Sequence, residues 1–128
     1  MENERAAEIM IGGHVYELVL TTGATKQIAK RYGGLASLGD KLMKAENFEN
    51  ALDELIWLIA LLANQSILIH NFQHPEEKWD PLTEETIELL TSPHDLVAYK
   101  DAIMESMFRG TKRYVESEPE PEKNASAG

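Results

Sequence analysis

Residues 8–20 read EIMIGGHVYELVL, the pattern of a β-hairpin. Two runs rich in β-favouring residues flank Gly12-Gly13, a pair able to take the positive φ angles of a two-residue hairpin turn. With Ile11 paired to His14, alternation puts Ile9, Ile11, Tyr16, Leu18 and Leu20 on one face and sets Met10 against Val15 on the other. The first face can pack on helices. Glu8 and Glu17 fall opposite each other, a like-charge pair that costs a little and discourages edge-to-edge association.

Downstream of the hairpin the pattern is helical. Residues 21–25, TTGAT, supply turn and cap residues before KQIAKRY, and Gly33-Gly34 stops that helix. A second short helix covers about 35–45. Asn47 is placed to cap a third helix, over 48–71, with apolar residues at Phe48, Leu52, Leu55, Ile56, Ile59, Leu62, Ala63, Ile67 and Leu68. From Leu55 onward apolar residues cover nearly the whole circumference, so this helix belongs at the centre, covered by the rest of the domain or by another subunit. A polar connector with two prolines, 74–81, separates the two helical halves. Thr83 then starts a short helix carrying Ile87, Leu89 and Leu90, and Ser92-Pro93 starts the last one, which runs to about Val115.

The reading is an α+β fold: an N-terminal β-hairpin packed on about five helices, with 1–115 as a single domain. Residues 116–128, ESEPEPEKNASAG, alternate acids with prolines and are expected to form a disordered acidic tail.

Composition narrows the function classes. With 12 Lys+Arg against 22 Asp+Glu the formal charge is -10, which opposes approach to phosphate backbones and anionic headgroups, so neither nucleic acid nor membrane is an expected partner. The absence of cysteine removes disulfides, thiolate nucleophiles and the common structural zinc sites, and fits an intracellular, cytoplasmic setting. The first residues lack the basic start and long apolar run of a signal peptide. The longest unbroken apolar run, Leu55 to Ala63, falls well short of the roughly 20 residues that cross a bilayer.

The chemistry-bearing residues do not form a recognisable catalytic set. His70 and His74 are four apart, as two metal ligands on a helix would be, but His74 precedes Pro75 and no third ligand is fixed by spacing; a surface or cap role is the better reading. No Ser or Thr sits in a nucleophile elbow, and the glycines form no phosphate loop. Glu46, Glu49, Asp53 and Glu54 read as a solvated helix face. Lys26, Lys30 and Arg31 beside Tyr32 read as a helix face paired with acids. No enzyme, cofactor or metal is expected. Candidate protein-binding residues are Ile103, Met104, Met107 and Phe108, a stripe whose thioethers adapt to several surfaces, with core packing as its plainer role. Trp79 joins them, because an indole in a polar connector either folds back or serves as an anchor.

Three stretches, IGGHVYELVLTTGATKQIAKRYGGL, ENALDELIWLIALLANQSILIHN and YKDAIMESMFRGTKRYVESE, together resemble tail assembly chaperones of phages and prophages of Gram-positive bacteria. The resemblance implies a protein of the bacterial host cytoplasm that binds the tape-measure protein while the tail tube assembles and is not part of the mature virion. Tail-tube protein is a further partner it suggests. It also implies self-association into a homo-oligomer, and a longer frameshifted product whose slippery site would lie near the codons for Lys123-Asn124. The alternative from another class is a small acidic regulatory module of antitoxin or anti-repressor type, which would gather its acids on one face to mimic nucleic acid. A chaperone needs an apolar groove instead.

Overall fold

A computed structural model describes residues 6–43 and 48–116. The hairpin consists of β1 (Ala6–Ile11) and β2 (His14–Val19), followed by helices α1 (Thr22–Tyr32), α2 (Leu35–Met43), α3 (Phe48–Gln73), α4 (Glu84–Leu90) and α5 (Pro93–Glu116). The two strands are antiparallel in the expected register, with Ile11 opposite His14, Met10 opposite Val15 and Glu8 opposite Glu17. Gly12 and Gly13 both have positive φ, 57° and 83°, the signature of a type I′ turn whose twist matches that of the strands.

Helix ends follow from local side-chain chemistry. The Thr21 hydroxyl accepts from the Ala24 amide at 3.0 Å and the Thr83 hydroxyl accepts from the Thr86 amide at 3.1 Å, each satisfying one orphan donor of a first turn. Ser92 and Asp95 bond reciprocally at the start of α5, side chain to amide in both directions. Gly33, at φ 90°, ends α1 in the left-handed conformation, where a side chain would be strained. The expected cap Asn47 lies outside the described residues, as do the ends of the chain at 1–5 and 117–128, which include most of the acidic tail and the Lys123-Asn124 pair.

The core forms where α3 meets the hairpin and α5. Ile9, Ile11 and Leu18 from the strands pack with Leu58, Ile59 and Leu62 of α3 and with Ile103 of α5. Tyr16 is half-buried at the margin of this cluster. By length and composition 51–73 could cross a membrane; here Leu58, Ile59 and Leu62 within it are fully buried by the rest of the domain. At about 25 cal/mol per Å² of apolar surface, each such side chain contributes about 1.5–3 kcal/mol, an upper estimate because unfolded chains already bury some of that surface.

Candidate protein-binding cleft

Two asparagines on α3 organise the surface beside the hairpin. Asn64 donates to the Leu82 carbonyl at 2.8 Å and accepts from the Leu82 amide at 2.7 Å. Asn71 does the same for Trp79, donating to its carbonyl at 3.1 Å and accepting from its amide at 2.8 Å. Seven helical residues rise about 10.5 Å, and three extended residues span about 10 Å. The connector therefore runs back along α3 as an extended strip, clasped at two points by side chains that mimic a strand ladder.

This clasp decides where Trp79 goes. Its indole lies flat on His70, with ring centroids 3.4 Å apart and planes 8° from parallel, and His74 stacks on the other side of His70 at 4.6 Å. His70 Nε2 sits 2.8 Å from the Glu77 carbonyl, and His74 Nδ1 sits 3.2 Å from the His70 carbonyl. Because a carbonyl only accepts, each of these nitrogens carries its proton. The histidines are thus engaged as helix-end caps and stacking partners, and no group of three or more metal-ligating side chains is found among the described residues. Trp79 nevertheless keeps 52% of its surface exposed, so it both folds back and presents an edge.

Between the hairpin and the C-terminal half of α3 lies a cleft of about 940 Å³. One wall is the run of residues 14–17 in β2; the other is α3 from Ala63 to the turn at His74, with Trp79 and Asp80 at the rim. Its floor includes Tyr16 and Ile67, and among the described residues that line it the acids are Glu8, Glu17 and Asp80, with neither Lys nor Arg.

The stripe on α5 divides. Ile103 and Met107 are buried in the core, Met104 is half-buried against it, and Phe108 is 64% exposed. At 100° per residue Phe108 sits about 140° around the helix from Ile103, so four residues close in sequence lie on two faces. Ile103 and Met107 are accordingly corrected from candidate binding residues to core, where neither can meet a partner without opening the domain. Phe108 remains on the surface, and Trp79 is the one candidate that joins the cleft.

The sequence left other surface features unread. Phe72 is 88% exposed and Leu68 lies one turn before it, also exposed, on the face of α3 turned away from the cleft. Glu54 is not part of a solvated face: it pairs with Arg31 at 3.3 Å and Lys41 at 3.8 Å and accepts from the Tyr32 hydroxyl. Arg31 also lies 4.4 Å from the centre of the Trp57 ring. Burial, then hydrogen bonding to Glu54, raises the Tyr32 pKa well above its ordinary value. This cluster ties α1 and α2 to the start of α3. Glu46 is outside the described residues.

No protein-family model, no curated protein and no solved structure matches the chain.

Proposed function

We propose that the protein is a tail assembly chaperone of a phage or prophage: it binds the tape-measure protein in the bacterial cytoplasm, holds it soluble while the tail tube assembles, and stays out of the finished virion. The single observation that carries the binding part of this reading is the cleft beside β2, apolar on its floor at Tyr16 and Ile67 and edged by the half-exposed Trp79. Grooves of that make, with an aromatic at the rim, suit the uptake of another chain. The assignment to tail assembly rests on the sequence resemblance alone.

A holder of this kind acts by binding and release, without turnover. Exposed Leu68 and Phe72 support the companion proposal of self-association, since covering them with a second copy removes apolar surface from water. The test is co-purification of the untagged chain with a tagged tape-measure segment encoded beside it. Retention supports the reading; a chain that elutes alone, from a gene with no long coiled-coil-rich neighbour, refutes it.

A further inference from the structure

Among the described residues the sheet has two strands, so each strand has an outer edge. In a two-residue hairpin the residues flanking the turn exchange both backbone hydrogen bonds, and pairs then alternate along the ladder. Ile11–His14 and Ile9–Tyr16 are therefore the bonded pairs, and the amides and carbonyls of Met10, Val15 and Glu17 point outward. The β1 edge is met: the Tyr99 hydroxyl donates to the Met10 carbonyl at 2.5 Å. The β2 edge is different. Among the described residues no hydrogen bond reaches the outward groups of Val15 or Glu17, and both residues line the cleft. Consecutive residues 14–17, which alternate between the two faces of the hairpin, all line it, so the cleft runs along the strand's edge.

We infer that this edge takes up an extended, basic segment of a partner chain as a third strand, with a Lys or Arg of that segment beside Glu17. The inference rests on the reading of the chain as a protein-binding domain and adds the mode of binding and the chemistry of the bound segment. Strand addition uses main-chain hydrogen bonds for affinity and alternate side chains for selection. Glu8 and Glu17 are opposite each other in the hairpin, an unfavourable like-charge pair. An added residue opposite Glu17 joins that same row, so a cation there converts the repulsion into attraction. The neighbouring row holds Met10 and Val15, both exposed, and selects an apolar residue. The intervening side chain points to the floor at Tyr16 and Ile67 and is apolar too. The segment thus reads apolar–apolar–basic, and the acids Glu8, Glu17 and Asp80 in the lining reinforce the choice.

The probe is a blocked peptide, Thr-Val-Val-Lys-Val-Val-Thr, whose palindrome makes strand direction immaterial to the side-chain pattern. Added at about 1 mM to the full chain, it should slow amide exchange at Val15 and Glu17 by about tenfold or more, while amides of the β1 edge are unaffected. N-methylating one alternate set of residues should abolish the effect, the lysine's own set if the added strand is antiparallel and the other set if it is parallel, whereas methylating the remaining set should preserve it, because only one set faces the edge. Glu17→Lys should weaken binding about tenfold, with its melting curve recorded to check that it folds. Replacing the peptide's lysine by glutamate should do the same. No protection, equal behaviour of the two methylated peptides, or indifference to the lysine overturns the inference. A tape-measure segment that binds without protecting Val15 and Glu17 overturns the edge assignment and leaves the proposed function standing. Protection by the peptide with no binding of any tape-measure segment does the reverse.

Discussion

Replacing Asn64 by Ala removes both hydrogen bonds to Leu82 and leaves the amide and carbonyl of a buried residue without partners. Each group so orphaned costs about 1–3 kcal/mol when water cannot reach it. Asn64 is half-buried, so water entering the space offsets roughly half of that, and the net loss should be about 2 kcal/mol. For a domain of this size that is a fall of about 6–12 °C in Tm. Asn64→Asp should be no better: it still accepts from the Leu82 amide but sets a carboxylate oxygen against the Leu82 carbonyl. Asn71→Ala breaks the matching pair at Trp79, where the groups are exposed, and should cost about 0.5 kcal/mol. Urea unfolding followed by circular dichroism measures all three, with the slope checked for constancy. If Asn64→Ala loses less than Asn71→Ala, or Asn64→Asp matches the parent chain, the clasp does not hold the connector.

Other changes separate core from surface. Ile59→Ala should cost about 2–5 kcal/mol, while Leu68→Ala, exposed on the same helix, should fall within about 0.5 kcal/mol of the parent; equal losses would mean that α3 is rotated. Gly12→Ala and Gly13→Ala should each cost about 1–2 kcal/mol, because both have positive φ. A Cβ at Gly12 would also lie 2.8 Å from Leu90 Cδ1, so Leu90→Ala should ease the first change and leave the second as it was. Burial and Glu54 raise the Tyr32 pKa above its ordinary 10.0, and burial with nearby Asp95 raises that of Tyr99. The folded state therefore keeps protons that the unfolded state sheds above about pH 10. Their contribution to stability is fully present below that pH and is lost as pH rises further. Unfolding free energies measured across this range should fall more steeply for the parent than for Tyr32→Phe; parallel curves would contradict the assignment.

Local chemistry made the hairpin legible. Gly12-Gly13 and the placing of Ile9, Ile11, Tyr16 and Leu18 on one face favour this register, because a one-residue slip would turn Ile9 and Ile11 to water. The starts of α4 and α5 were legible for the same reason: Thr83 and Ser92-Pro93 act on residues within one turn. What escaped the sequence depends on contacts across long separations. Asn64 and Asn71, seven apart on a largely apolar helix, were a signal that something polar lies along that face, but nothing local says that it is the backbone of Leu82 and Trp79. Glu54 looked like one acid among several until α1 and α2 brought Arg31, Tyr32 and Lys41 to it. The α5 stripe misled because Ile103, Met104, Met107 and Phe108 are close in number yet span more than a third of the helix circumference. Only the packed hairpin shows that Ile103 and Met107 belong inside.

The proposed function requires this chain to keep a tape-measure protein soluble. The direct measurement is light scattering of a tape-measure segment diluted from denaturant, with and without an equimolar amount of the full chain. Scattering should be suppressed and a soluble complex should form, with Glu17→Lys less effective than the parent. Unchanged scattering at several molar ratios, with the chain folded throughout and no complex recovered, would contradict it.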